Sequence, residues 1–306
     1  MNAVRGLTVG LFSSMLLASC GDGGTSEDAG RDARTTPGTD APIAPGTDAP
    51  VATSDDAFTP SSGSAGCGMA AGMATGEWVE TTLESGGVTR TYDVWLPTGY
   101  DPTRAYPVDY QFHGCNDNPE RENNNVPMER ESEGNAIHVR GRAVDRCWDT
   151  SAMGPDVAFF DALVIAIESR FCADPERRWA TGYSGGAFMT HRLACVRGSM
   201  LRGVATIAGG QAGSMCTGNV AALLIHDRND GTVGIAASEG ARDALVSANG
   251  CDATAARTPT DHPPCEAYAG CDPETPVVWC ETTMQDHSRQ DGFAAPAFWD
   301  FLSTLP

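Results

Sequence analysis

Gly182-Tyr183-Ser184-Gly185-Gly186 decides how this chain is read. The residues ahead of it, Arg178-Trp179-Ala180-Thr181, are β-prone and follow a turn at Asp174-Pro175. Residues 187–195 behind it carry apolar side chains at helical spacing without a breaker. A strand therefore turns sharply into a helix, with Ser184 at the corner. Glycines flank such a corner because the strained turn leaves no room for Cβ atoms. The serine Oγ is expected to face solvent, and the N–H of Gly185 at the helix start can stabilise an oxyanion. The same five residues also fit a Gly-rich turn with an incidental serine, so the surrounding pattern has to discriminate.

Residues 88–96 alternate apolar and polar up to Pro97 and read as an edge strand. Residues 108–112 form a second strand running into His113-Gly114-Cys115. Across 156–171, Val157, Phe160, Val164, Ile167 and Phe171 share one helical face, with Pro155 in the first turn. Residues 201–207 and the continuous apolar run 220–225 read as strands, the second buried on both faces. A helix over 236–248, a last strand over 276–280 and a closing helix over 294–305 complete the pattern. Strands alternating with helices predict an α/β fold: one domain built on a doubly wound, mostly parallel sheet flanked by helices. In such sheets the site lies at the carboxyl ends of the strands. Ser184, Cys115 and the loop after Ile225 all fall there.

Acyl transfer by a serine needs a base to take its proton and a carboxylate to orient that base. Where a nucleophile elbow carries the serine, the chain order is serine, acid, histidine. Of the six histidines, only His226, His262 and His287 follow Ser184. His226 ends the buried strand, where the acid should emerge, and His262 sits in a Pro-flanked loop. His287 lies between the last strand and the last helix, the place for the base, so it is preferred over His262. Asp230 is the preferred acid because it lies further along the loop, with room to reach across. Asp227, at the strand edge, is its rival and could equally form a local turn. Gly114 permits a turn that exposes the Cys115 N–H as a second oxyanion donor. Trp148, in a long polar loop, either overhangs the site as a substrate contact or packs under its own loop, and Tyr183, beside the nucleophile, is a candidate substrate contact.

The N-terminus has a different character. Arg5, a short apolar run and Leu17-Ala18-Ser19-Cys20 read as an export signal over 1–19. The run is shorter than the roughly 20 residues of a membrane span, and Cys20 is the expected lipidation site. Residues 20–66 are rich in Gly, Ser, Thr, Asp, Ala and Pro and should remain a disordered linker, leaving 67–306 as the folded domain. Eleven cysteines less Cys20 leave ten, an even number that in an exported chain suggests disulfides. Zinc-type paired spacing is absent, so no metal is expected. The chain carries a formal net charge of −20 and no basic cluster, which argues against nucleic acid as a partner. Any membrane association is expected through the lipid on Cys20 alone.

Taken in order, Phe112-His113-Gly114-Cys115-Asn116, Asp156-Val157-Ala158-Phe159, the segment Arg178 to Gly186, Ile225-His226 through Asp230, and Trp279-Cys280 through His287 resemble the carbohydrate-esterase family of feruloyl and acetylxylan esterases and the related polyhydroxybutyrate depolymerases. The likeness runs from Gly66-Cys67-Gly68 to Phe298-Trp299-Asp300-Phe301. It implies an α/β-hydrolase that cleaves carboxylic esters without metal or cofactor. Its triad would be Ser184, Asp230 and His287, with oxyanion N–H groups from Cys115 and Gly185. The implied substrate is an ester on a polysaccharide or a polyester, with the feruloyl branch preferred. One departure stands out: Asp227-Arg228 follow the strand histidine, where the family usually has Gly. A catalytically silent polysaccharide-binding module would be expected to have lost a triad member, and all three are present. A serine peptidase would share the triad, but no propeller or lid domain accompanies this one.

Overall fold

Strand β7 (Ala221–Asp227) shows why the sheet lies at the centre of the fold. Ala222 and Leu224 pack into one apolar cluster while Leu223 and Ile225 pack into another on the opposite face. A strand apolar on both faces is stable only with a helical layer on each side. The first cluster is capped by Phe159, Phe160 and Leu163 of α2 (Pro155–Arg170), Met189 and Leu193 of α3 (Gly185–Arg197) and Leu245 of α4 (Ala236–Ala248). The second is capped by Met128 of α1 (Met128–Glu131) and Ala294 and Phe298 of α5 (Asp291–Ser303). This is the computed structural model of residues 63–115, 125–210, 219–283 and 285–306. The expected signal peptide, Cys20 and linker residues up to 62 lie outside the described residues.

The other strands are β1 (Trp78–Ser85), β2 (Val88–Trp95), β3 (Tyr106–Phe112), β4 (Ile137–Gly141), β5 (Ala173–Tyr183), β6 (Gly203–Ile207), β8 (Thr258–Pro259), β9 (Cys265–Ala267) and β10 (Val277–Thr282). They form one sheet in the order β1-β2-β4-β3-β5-β6-β7-β10-β9-β8. From β4 to β10 every neighbouring pair is parallel, and the two flanks are antiparallel. The fold is thus the expected doubly wound α/β domain. The chain leaves β3 for β4 on one side and returns to β5 on the other. The topological switch point therefore lies between β3 and β5, where a sheet of this kind opens a crevice.

Two expectations are revised and one strand is added. The strand over 88–96 is not an edge, because β1 pairs with β2 along its whole length through the Gly86-Gly87 turn. The turn at Asp174-Pro175 lies inside β5: Ala173 faces Tyr106 and Arg178 faces Val108, so residues 174–177 bulge out of the ladder. Strand β4 escapes sequence reading because its polar positions are buried too. His138 Nδ1 and Gln111 Nε2 both meet Asp109 Oδ2, at 3.1 and 2.7 Å, and Arg140 Nε donates to Gln111 Oε1 at 3.2 Å. Apolar-polar alternation suggests one wet face, but here the polar side chains satisfy one another under a helix.

Disulfides tie the loops to this frame. Cys67 joins Cys172, Cys115 joins Cys147, Cys251 joins Cys271, and Cys265 joins Cys280. Every cysteine among the described residues is disulfide-bonded.

Candidate active site

The corner after β5 is built by close approach. A Cβ on Gly186 would lie 1.8 Å from Phe112 O and 2.6 Å from His113 O, so only glycine lets α3 start directly against the end of β3. Ser184 takes φ 52° and ψ −119°, a strained conformation for a residue with a side chain. Its N–H is spent on Ile207 O of β6 at 3.0 Å, while Ala187 and Phe188 N–H close the first helical turn on Ser184 O. The backbone is thus held on both sides, and the Oγ is left partly exposed at the switch point.

His287 reaches this serine from the loop after β10. Its Nε2 lies 3.0 Å from Ser184 Oγ, and its Nδ1 lies 2.7 Å from Asp230 Oδ2. A carboxylate only accepts, so Nδ1 carries the proton and Nε2 is free to accept from the serine. The Tyr183 ring lies 5.3 Å from the His287 ring, and its hydroxyl donates to His287 O at 3.3 Å. Tyr183 is nearly buried and supports the histidine rather than offering a face to a substrate.

Asp230 is buried, and its second oxygen accepts from the Thr232 and Val233 N–H groups at 2.8 Å each. Burial works to raise its carboxyl pKa. The hydrogen bonds from His287, Val233 and Thr232, with the charge of His287, outweigh that and lower it from the ordinary value. His226, fully buried beneath the turn, meets Val233 O with Nε2 at 2.8 Å and Ser238 Oγ with Nδ1 at 2.6 Å. His262 is far from this arrangement in role, pairing at the surface with Asp300 of α5 at 2.7 Å.

The two expected oxyanion donors are brought together. A Cβ on Gly185 would lie 3.1 Å from Cys115 N and 2.1 Å from its Sγ, so these residues touch without a side chain between them. Trp148 packs inward and does not overhang the site. It lies beneath the site, 6 % exposed, with its ring 5.0 Å from Phe112 and 4.9 Å from His113 and its Nε1–H bonded to His113 O at 2.8 Å. Its loop is pulled inward by the Cys115–Cys147 disulfide and by Asp156, which accepts from Asp149 N–H and pairs with Arg90, both at 2.6 Å.

A second serine–histidine–aspartate relay exists and makes a useful contrast. His138 Nε2 lies 3.0 Å from Ser132 Oγ and its Nδ1 3.1 Å from Asp109 Oδ2. All three residues are 0 % exposed, so no substrate can reach this serine. Sequence reading missed it, and only the pairing of β3 with β4 creates it. Among the described residues no group of three or more potential ligands could hold a metal ion, and no helix is long and apolar enough to cross a membrane.

With this geometry in hand, similarity to known proteins is decisive. No family model matches the chain. Feruloyl esterase C of Emericella nidulans is 31% identical over 207 residues, covering 64% of this chain and 74% of the relative. The chain belongs to the feruloyl esterase family. Feruloyl esterase D of Neurospora crassa is 27% identical over 263 residues, covering 78% of this chain and 90% of the relative. Among solved structures, the acetyl xylan esterase from Aspergillus awamori superposes with a TM-score of 0.61 at 14% identity, over 74% of this chain and 99% of that one. That likeness concerns the fold. This feruloyl esterase relative is thus a carboxylic-ester hydrolase on an α/β-hydrolase frame.

Proposed function

We propose that the chain hydrolyses feruloyl esters on plant polysaccharide, with Ser184 as nucleophile, His287 as base and Asp230 as the acid that orients it. The observation that carries this is the relay Ser184 Oγ–His287–Asp230, with steps of 3.0 and 2.7 Å, at the sheet's switch point. The Ser184 Oγ attacks the ester carbonyl carbon while its proton passes to His287 Nε2. The carbonyl π pair becomes an oxyanion facing the Cys115 and Gly185 N–H groups. Collapse expels the sugar alkoxide, which takes the proton from His287, and leaves an acyl-serine. Water, deprotonated by the same histidine, then releases the acid and restores Ser184. Asp230 keeps the Nδ1–H tautomer and stabilises the imidazolium formed in each half. The feruloyl branch is preferred because the named fungal relatives are feruloyl esterases. Methyl ferulate, acetylated xylan and hydroxybutyrate oligomers should be compared by kcat/KM. Methyl ferulate ranking below either of the others would overturn the substrate assignment.

The chain's own N-terminus supports export and anchoring through Cys20 after Leu17-Ala18-Ser19. The disulfides fit an oxidising compartment. A linker of this composition would hold the domain tens of ångströms from a membrane surface, a reach suited to an insoluble polymer. Cys20→Ser should release enzyme into the medium or block its maturation. Wild-type protein recovered soluble, starting downstream of Cys20 and without acyl mass, rules the anchor out.

A further inference from the structure

The geometry points to His113 as a positioning residue that aims the Cys115 N–H at the oxyanion. This rests on the reading of Cys115 as an oxyanion donor. His113 Nδ1 lies 2.7 Å from Gly114 O, and its Nε2 lies 3.1 Å from Ala143 N. A backbone N–H only donates, so Nε2 must accept; Nδ1 therefore carries the proton and donates it to the carbonyl. The tautomer is set by Ala143, and the carbonyl it grips is that of Gly114.

Gly114 C=O and Cys115 N–H belong to one planar peptide. In a trans peptide the two point in opposite directions, so holding the oxygen also directs the hydrogen. The oxygen is held toward the His113 ring. The nitrogen faces the other way, toward Gly185, whose built Cβ would lie 3.1 Å from it. Glycine at 114 leaves this peptide free to rotate, so without a restraint both orientations are open to it. The preceding peptide is held as well, because Trp148 Nε1–H donates to His113 O at 2.8 Å. The Trp148 and His113 rings lie 4.9 Å apart, and the Cys115–Cys147 disulfide closes the assembly. The buried tryptophan thus acts on the site through His113. Oxyanion stabilisation depends on donors already aimed before the charge appears, and this cluster supplies that aim for one of the two.

Two variants separate the donor from the scaffold. In His113→Asn the amide nitrogen sits near the place of Nδ1 and can still donate to Gly114 O. In His113→Gln the amide reaches the place of Nε2, so it keeps an acceptor for Ala143 N–H and loses the donor to Gly114. With methyl ferulate, His113→Gln should lower kcat about 10- to 100-fold with KM changed less than about threefold, short of the loss expected when an oxyanion donor is removed outright. His113→Asn should stay within about threefold of wild type. A trifluoromethyl ketone adds to Ser184 Oγ as a hemiketal, its carbonyl oxygen becoming the oxyanion and the serine proton moving to His287. Its affinity should fall in His113→Gln in parallel with kcat, whereas affinity for the product ferulate should not. Equal behaviour of the two variants, or parallel loss of ferulate affinity, overturns the assignment. If His113→Gln does not fold, His113→Asn decides alone, and a loss beyond about threefold overturns it. Ser184→Ala run alongside keeps the questions apart: an active Ser184→Ala defeats the triad, while a dead one with an unimpaired His113→Gln defeats only the role of His113.

Discussion

Asp227 and Asp230 stand three residues apart at the end of β7, and the turn between them sends their carboxylates to different tasks. Asp230 Oδ2 meets His287 Nδ1 at 2.7 Å. Asp227 instead accepts from Thr282 Oγ1 and Gln285 N–H, each at 2.8 Å, and from Asn229 N–H at 2.9 Å. Gly231 N–H in turn donates to Asp286 at 3.0 Å. The loop that carries the acid and the loop that carries the histidine are therefore laced together on both sides of the relay.

From this division, Asp230→Ala should lower kcat on methyl ferulate by several orders of magnitude, though less than loss of the serine. Asp227→Ala should retain the chemistry but lose about 1–3 kcal/mol of stability, because it removes the charge-assisted hydrogen bonds from Thr282, Gln285 and Asn229 that join the two loops. Thermal denaturation and steady-state kinetics on both variants check the split. Near-full activity in Asp230→Ala with loss in Asp227→Ala would transfer the acid role.

Ser184→Ala should remove nearly all ester hydrolysis, leaving only the residual rate that oxyanion donors and binding supply. His287→Ala should match it, since serine and base act as one unit. A fluorophosphonate should label the wild type at Ser184; a peptide map showing label on Ser132 or another serine would refute the assignment.

An elbow glycine and a helix glycine differ sharply in what they tolerate. Gly186→Ala drives a methyl into the Phe112 carbonyl and should cost more than about 4 kcal/mol, or block folding. Gly292→Ala in α5 meets nothing within 4 Å and should be neutral or stabilising by up to about 1 kcal/mol. Denaturant midpoints of the two variants provide the comparison.

His191, buried on α3 and 3.1 Å from Thr206 Oγ1, has its pKa lowered by burial from 6.5 to about 4. Above pH 6.5 it is neutral folded or unfolded and contributes no pH dependence. As pH falls from 6.5 towards 4 the unfolded chain takes up the proton first, so stability declines, by roughly 3 kcal/mol over that window. Below about 4 this contribution levels off. His191→Asn should flatten the pH dependence of the unfolding free energy between pH 6.5 and 4; an unchanged slope would show that another group carries it.

Much of the frame is legible locally. Helical spacing across 156–171 and 236–248 corresponds to α2 and α4, and the continuous apolar run before His226 corresponds to β7, because burial on one or both faces is written in side-chain periodicity. The Gly-Tyr-Ser-Gly-Gly corner is legible as a local motif, although the close approach that demands its glycines is made to Phe112, His113 and Cys115 of a distant segment. What sequence alone could not decide is what depends on distant segments meeting. Whether Asp227 or Asp230 faces His287 turns on how the β7 and β10 loops lace together. Whether Trp148 overhangs the site or packs under its own loop depends on the Cys115–Cys147 link and the Arg90–Asp156 pair, which draw that loop inward. The Asp109–His138–Ser132 relay and strand β4 were invisible because their polar residues are satisfied by partners outside the strand, and a one-dimensional pattern records polarity but not who satisfies it. Periodicity fixes which face of an element is buried; only tertiary pairing fixes which polar atoms face each other, and the chemistry of this site lies in those pairings.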